Sequence, residues 1–120
     1  MLSEKSLAKM AGVDARLQAV IGAAAAISPV EFIVTEGIRS ADRQRMLFMA
    51  GKTQTLNSRH CIGQAVDVCA IVGGKADWNW HNYERIAQAV KAAASQLNIA
   101  VEWGGDWATL KDGPHFQLKR

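Results

Sequence analysis

Two short segments, far apart in the chain, constrain the fold most, because together their side chains suit a single metal ion. The first runs from Ser58 to Asp67 and includes His60, and the second runs from Asp112 to His115. Two imidazoles and one carboxylate leave a fourth position open on zinc, which is typical of hydrolytic rather than structural sites. A fold that uses this site must bring the two segments together.

Hydrophobic periodicity and turn residues predict four helices and four strands around these segments. The helices are predicted over Leu2 to Met10, Asp14 to Ala26, the segment from the Ser40 cap to Gly51, and Trp80 to Leu97. The strands are predicted over Val30 to Thr35, Ala65 to Ala70, Ile99 to Trp103 and His115 to Leu118. Polar residues from Lys52 to Asn57 and the pair Gly73-Gly74 predict loops. The pattern indicates one compact α+β domain, with helices packed on a small antiparallel sheet.

The local sequence around the candidate ligands suits convergence on one ion. Gly63 lies between His60 and Asp67 and permits a turn that folds the loop histidine back toward the strand carboxylate. Strand alternation places His115 on the face opposite its apolar neighbours. A single histidine without context is more often a surface residue or a hydrogen-bonded core residue, and His81 is assigned to that class.

Two further residues are candidates for catalysis. Asp112 could accept a proton from an attacking water and pass it to a leaving amine, although Asp-Gly-Pro is also ordinary turn chemistry. Arg39 follows a predicted strand and could hold a substrate carbonyl or a developing oxyanion. The alternative for Arg39 is a surface position in a capping loop. Glu36 could orient Arg39 or be solvated.

Composition and charge exclude several classes of protein. A chain of 120 residues with 49% hydrophobic and 21% charged residues has the profile of an ordinary globular domain. No apolar run is long enough for a membrane span, and the first residues lack the layout of a secretory signal. The net charge is +3, but the basic residues are scattered, which argues against nucleic-acid binding. Two cysteines are too few for a disulfide framework.

Taken jointly, the motifs resemble a known family. They are Ser58-x-His60-x-x-Gly63-x-Ala65-x-Asp67, Gly37-Ile38-Arg39-Ser40 with Gln44, the segment from Trp103 to Trp107, and Asp112-Gly113-Pro114-His115-Phe116. This set resembles the zinc peptidases of the VanY/VanX and D-Ala-D-Ala carboxypeptidase group, which share a fold with hedgehog signalling domains. The set resembles the phage L-alanyl-D-glutamate endopeptidases more closely. This resemblance covers about Phe32 to Leu118.

The resemblance implies a role for each candidate residue. His60, Asp67 and His115 would bind Zn²⁺, Asp112 would be the general base and acid, and Arg39 would polarise the scissile carbonyl. Substrate contacts are expected from Ser58, Gln44 and Trp103. Trp103 and Trp107 would line or brace the substrate groove, and the alternative for either is buried packing.

The resemblance also implies a biological setting. The expected protein is a bacteriophage endolysin that hydrolyses the L-Ala-D-Glu bond of the peptidoglycan stem peptide and so lyses the host. It would be a monomer with a single catalytic domain over residues 1–120 and no separate cell-wall-binding domain. It would neither bind nucleic acid nor insert into a membrane. It would stay in the host cytoplasm until a separate membrane-permeabilising protein allows it to reach the periplasmic cell wall.

Two alternatives remain at the level of the sequence. A D-Ala-D-Ala carboxypeptidase or dipeptidase could use the same ligands, because specificity depends on the loops that shape the groove. A binding module could keep zinc for structure alone. The presence of both Asp112 and Arg39 argues against such a module, since a structural zinc site needs neither a base nor an oxyanion donor.

Overall fold

A computed structural model describes residues 2–52 and 58–119. The helices are α1 (Glu4–Lys9), α2 (Ala15–Ile27), α3 (Ala41–Met49) and α4 (Trp80–Leu97). The strands are β1 (Glu31–Glu36), β2 (Ala65–Val72), β3 (Lys75–Asp77), β4 (Val101–Trp103) and β5 (His115–Leu118). Two short 3₁₀ helices cover Arg59–Ile62 and Gly104–Asp106. None of the helices in this described part of the chain combines the length and apolar character needed to cross a membrane.

The strands form one antiparallel sheet that confirms the predicted α+β class. Its order is β1-β2-β5-β4, and β3 pairs with the far end of β2. Strand β2 therefore lies in the middle, where it pairs with β1 on one side and with β5 on the other. Pairing between β2 and β5 is the step that joins the two segments carrying the candidate ligands.

The predicted helices and strands are present, with ends within two residues of those expected. The structure adds one strand that was not predicted, β3. It is only three residues long and largely exposed, so its sequence shows no alternation of apolar and polar residues. Gly73 and Gly74, predicted as a loop, form the tight turn of a β2–β3 hairpin, and both have positive φ angles. The predicted loop from Lys52 to Asn57 lies, apart from Lys52, outside the described residues.

The apolar core lies between the sheet and the two longest helices. Helices α2 and α4 pack against each other, and α4 contacts β2 and β4. The predicted stripes of both helices supply much of the core, together with inward-facing strand residues: Leu17, Val20, Ile21, Tyr83, Ile86, Val90, Val66, Val68 and Phe116. In contrast, Met46 and Met49 of α3 are exposed, and the buried residue of α3 is Gln44. This polar burial points to a role for α3 at the site.

Candidate active site

Strand alternation places two of the candidate ligands side by side on the open face of the sheet. Asp67 of β2 and His115 of β5 are cross-strand partners, and the next pair is Val66 with Phe116. Because side chains alternate along a strand, Val66 and Phe116 enter the core while Asp67 and His115 face the other way. The predicted convergence of the two segments is therefore built into the β2–β5 register.

The third candidate ligand, His60, lies on the 3₁₀ turn that leads into β2. Ser58 caps this turn by accepting a hydrogen bond from the His60 backbone N–H at 3.2 Å. Gly63 ends the turn with φ +69°, and an added Cβ would lie 2.7 Å from the Gly12 carbonyl oxygen. The predicted glycine turn is confirmed, and only glycine fits this backbone conformation and contact without strain.

Hydrogen bonds to the remaining ring nitrogens orient both imidazoles. His60 Nδ1 lies 2.8 Å from the Gly37 carbonyl oxygen, which directs Nε2 toward Asp67 Oδ1 at 3.3 Å. His115 Nδ1 lies 3.2 Å from the same Asp67 oxygen, while its Nε2 lies 2.9 Å from Gln117 Oε1. The backbone of Arg39 closes the arrangement by donating to the His60 carbonyl oxygen at 2.8 Å.

The donor atoms of His60, Asp67 and His115 fit a small divalent cation. All three lie within 4.8 Å of one another. Two of the separations, 3.3 Å and 3.2 Å, are close to the ligand-to-ligand distance of about 3.3 Å expected for tetrahedral zinc with bonds near 2 Å. Two imidazole nitrogens and one carboxylate oxygen also match zinc chemically. The residues could therefore hold such an ion without moving far.

Electrostatic coupling within this cluster favours ionised Asp67. Burial tends to raise the pKa of Asp67, but hydrogen bonds from His115 and His60 outweigh burial and hold that pKa well below its usual value. For His115, burial opposes the charged form, yet the hydrogen bond to Asp67 raises the pKa above the ordinary histidine value. A cation bound to these atoms would displace any hydrogen carried by His115 Nδ1.

Asp112 lines the same cleft as the three candidate ligands. Its backbone N–H donates to the Gly104 carbonyl oxygen at 3.0 Å, and its own carbonyl accepts from the His115 N–H at 3.2 Å. A Cβ on Gly104 would collide with the Asp112 carbonyl oxygen, so this approach depends on glycine. Burial, followed by the nearby charge of Asp67, raises the pKa of Asp112. A raised pKa suits a group that must both accept and return a proton.

Arg39 is fixed in the wall of the site by a set of hydrogen bonds. Its Nε and one terminal nitrogen donate to the two Glu36 oxygens at 2.7 Å and 2.9 Å, so of the two alternatives for Glu36 the contact with Arg39 is the one observed. The other terminal nitrogen donates to Gln44 Oε1 at 2.7 Å. The side chain is only 9% exposed and lies 3.8 Å from Asp67 Oδ2. Arg39 is therefore not the solvated surface arginine of the alternative reading.

Gln44 and Trp103 do not lie where a substrate contact would require. Gln44 is completely buried and accepts from Arg39, so it supports the arginine rather than facing the cleft. Trp103 is 7% exposed, packs against Trp80 with ring centroids 5.5 Å apart, and donates to the Gly113 carbonyl oxygen at 2.7 Å. Neither side chain lines the cleft over the candidate ligands, and the bracing position considered for Trp103 is the one observed.

A cleft of about 850 Å³ opens over the candidate ligands. Besides the three ligands, Asp112 and Arg39, its wall includes Ser58 and Trp107, as expected. It also includes Arg43 and Leu110, which were not among the candidate residues. His81 lies elsewhere, with a side chain 75% exposed, as assigned.

The residues that hold the imidazoles in place were only partly readable from sequence. The Gly37 carbonyl is a backbone group and leaves no compositional signal. Gln117 was readable, because strand alternation puts it on the same face as His115. Glu102 required the β4–β5 register, which pairs it with Gln117.

Comparison with known proteins identifies relatives across nearly the whole chain. A family model described as phage L-alanyl-D-glutamate peptidase matches residues 1–118. An L-alanyl-D-glutamate peptidase of an Escherichia phage is 31% identical over 122 residues, covering 98% of this chain and 86% of the relative. One from a Listeria phage is 34% identical over 89 residues and covers 74% of this chain. That match spans only 31% of the Listeria phage protein.

Solved structures give the same result at the level of the fold. The crystal structure of a Serratia marcescens L-Ala D-Glu endopeptidase is 49% identical and superposes with a TM-score of 0.94, covering 99% of this chain and 90% of the other. A vancomycin-resistance D,D-dipeptidase is 17% identical, with a TM-score of 0.51 over 86% of this chain and 47% of the other. The second likeness concerns the fold alone, and it confirms the DD-peptidase-like architecture expected from the motifs.

Proposed function

Because the chain belongs to the phage L-alanyl-D-glutamate peptidase family, we propose that it is a zinc-dependent peptidoglycan endopeptidase. The bond it cleaves is the L-Ala-D-Glu bond of the stem peptide. The observation that carries the proposal is the convergence of His60, Asp67 and His115 beneath one cleft, with Asp112 and Arg39 in its wall. A structural zinc site would need neither of these last two residues.

The metal and the carboxylate of Asp112 have complementary tasks. Bound zinc would supply a Lewis acid that polarises a carbonyl and lowers the pKa of a water to about 7. Asp112, whose pKa is raised by burial, accepts the proton of the attacking water and delivers it to the nitrogen of the leaving D-Glu. The backbone contacts of Asp112 to Gly104 and His115 keep the carboxyl group beside the ligands during both transfers.

Arg39 supplies positive charge where the scissile carbonyl becomes an oxyanion. The guanidinium is held by Glu36 and Gln44 before substrate arrives, so little reorganisation is needed during the reaction. Its pKa is raised because Glu36 outweighs the effect of burial, so it stays charged in the cleft. Gln44 acts in this proposal through Arg39 and not through the substrate.

The open cleft accommodates an extended peptide rather than a small buried ligand. Ser58 and Trp107 both line it, and Trp107 lies against His115 with ring centroids 5.2 Å apart. In this proposal the two residues contact the stem peptide. Trp103 braces the segment that carries Asp112 from behind.

The proposed setting follows from the family. The enzyme acts as a monomer on the periplasmic cell wall after a separate permeabilising protein has opened the host membrane, and cleavage lyses the cell. Neither nucleic acid nor membrane insertion has a part in this activity.

The proposal is tested by digesting purified peptidoglycan with the zinc-loaded protein and determining the masses of the released fragments. Metal-dependent release of stem peptides that begin at D-Glu is expected, with L-Ala left on the glycan. Release of terminal D-Ala alone would instead establish a carboxypeptidase. A zinc-loaded protein that releases nothing would make the domain a non-catalytic zinc module.

The variant Asp112→Asn separates catalysis from metal binding in the same assay. It should bind zinc as the parent does, because Asp112 is not among the three converging donors. Cleavage should fall by about 10²- to 10⁴-fold, the usual contribution of a general base. Full activity in this variant would exclude the role proposed for Asp112.

A further inference from the structure

A polar chain runs from His115 away from the candidate metal position to the far edge of the sheet. His115 Nε2 lies 2.9 Å from Gln117 Oε1, and Gln117 Nε2 donates to Glu102 Oε2 at 2.8 Å. Glu102 and Gln117 are direct cross-strand partners on β4 and β5. Gln117 is 9% exposed, so its amide cannot easily exchange these partners for water. We refer to these two residues as the Glu102–Gln117 pair.

Seen from Glu102, the order of atoms in this chain favours a hydrogen on His115 Nε2. An ionised carboxylate only accepts hydrogen bonds, so Glu102 requires the NH₂ group of Gln117. The amide oxygen must then face His115, and it in turn requires a hydrogen on His115 Nε2. A neutral imidazole with its hydrogen on Nε2 carries its lone pair on Nδ1, the atom that lies 3.2 Å from Asp67 Oδ1. In the metal-free protein the Asp67 carboxylate competes for a hydrogen on Nδ1, so Glu102 and Gln117 act against Asp67 and favour the tautomer that leaves Nδ1 available to a metal.

We propose that Glu102 and Gln117 are positioning residues that hold His115 in the metal-binding tautomer and ring orientation. This inference rests on the proposed role of His115 as a zinc ligand. Partners of this kind on the far nitrogen of a metal-bound histidine typically change metal affinity by about 10- to 100-fold when removed. Among the described residues, Glu102 is connected to His115 through the Gln117 amide. An effect of Glu102 on His115 should therefore depend on Gln117, whereas an ordinary structural contribution of Glu102 should not.

The test is a double-mutant cycle read out as zinc affinity, measured by competition with a chelator. Gln117→Met keeps the approximate size but removes the acceptor, and it should weaken zinc binding by about 10- to 100-fold. Glu102→Gln lets both amides flip, so the wrong tautomer becomes accessible, and a smaller loss is expected. In the Gln117→Met background, Glu102→Gln should cost nothing further, because its only route to His115 is gone.

Histidine tautomers provide a readout that a merely structural role would not change. In the metal-free parent at alkaline pH, where the imidazole is neutral, Gln117 and Asp67 compete for its one hydrogen, and ¹⁵N shifts should show a population of His115 with the hydrogen on Nε2. Both single variants should show less of this Nε2 tautomer than the parent, because the attraction of Asp67 for a hydrogen on Nδ1 is then less opposed. The matched control is Glu31→Gln, which removes an exposed strand carboxylate on β1 and should alter neither zinc affinity nor tautomer.

The outcomes distinguish this inference from the proposed function. A parent that neither binds zinc nor cleaves peptidoglycan contradicts the proposed function itself. A parent that does both, with variants that bind zinc as tightly as it does, overturns only the positioning role. Equal losses from Glu102→Gln in both backgrounds would also overturn it, because Glu102 would then act by a route other than Gln117.

Discussion

The two faces of the central strands, β2 and β5, differ in function, and alternate residues along each strand belong to opposite faces. On the covered face, Val66, Val68 and Phe116 are at most 1% exposed and belong to the apolar core. On the open face, Asp67 and His115 bond to each other and line the cleft. Neighbouring residues on β2 or β5 therefore contribute to different properties, one to the stability of the core and the next to the candidate metal site. Substitutions on the two faces should have separable effects.

The largest effect is expected on the open face, from Asp67→Asn. The amide keeps the size of the side chain but removes the negative charge and its metal-binding strength. Zinc affinity should fall by more than the roughly 10- to 100-fold typical of changes outside the ligand set, and cleavage should be lost at ordinary zinc concentrations. Chelator competition measures the first effect. Parent-like zinc affinity in this variant would show that the cluster is not the metal site.

The opposite pattern is expected on the covered face, from Phe116→Ala. Removal of this fully buried ring should lower the free energy of unfolding by about 3–5 kcal/mol, measured with denaturant. The variant should still bind zinc while it remains folded, because His115 and Gln117 face away from the cavity. Met46→Ala, at a side chain that is 71% exposed, is the control and should stay within about 0.5 kcal/mol of the parent. A Phe116→Ala variant as stable as the control would contradict this assignment of the core face.

The pH dependence of zinc binding sharpens the comparison on the open face. In the metal-free protein, the hydrogen bond and charge of Asp67 more than offset burial and raise the pKa of His115. A protonated Nδ1 cannot bind zinc, so zinc affinity should fall as the pH is lowered through this raised pKa, beginning above the usual histidine value of about 6.5. Asp67 stays ionised throughout this range because its own pKa is lowered. Calorimetric titrations at several pH values would detect the change, and an affinity that is constant from pH 8 to 6 would contradict it.

The smallest of these effects should come from Trp103→Phe, behind the catalytic segment. This change removes the indole N–H that donates to the Gly113 carbonyl oxygen, and leaving that buried acceptor unpaired costs about 1–3 kcal/mol. Zinc affinity should change little, whereas cleavage should fall because the segment between Asp112 and His115 is less firmly held. The comparison of unfolding, zinc binding and cleavage in one variant tests the bracing role. A drop in stability with unchanged cleavage would contradict the bracing role and show that Trp103 contributes only to the stability of the fold.

Much of this division could be predicted from sequence because it follows from periodicity. The alternation in β5 separated His115 from Phe116, and the stripe of α4 gave that helix its observed bounds, Trp80–Leu97. Residue types and the Gly63 turn indicated His60, Asp67 and His115 as candidate ligands, whereas their two segments are joined by the β2–β5 pairing. These features depend on contacts close in sequence or on chemistry that few residues share.

What the sequence did not reveal depends on packing between distant segments. Gln44 was expected in the cleft but is buried under Arg39, since the apolar residues of α3 face outward and no local pattern shows this. Trp103 lies behind the site because it packs against Trp80 and donates to the Gly113 carbonyl oxygen, and these contacts also join separate segments. The connection from His115 to Glu102 needed the pairing of β4 with β5, which spacing alone does not specify.

Titration of the metal-free protein with zinc, while peptidoglycan cleavage is measured, tests the central claim most directly. Cleavage should rise in proportion to added zinc and reach its plateau at one ion per chain, with release of fragments that begin at D-Glu. Asp67→Asn should show no such rise under the same conditions. Full cleavage by the metal-free protein, or a plateau unchanged by Asp67→Asn, would contradict the claim that the open face of the sheet holds the metal on which the activity depends.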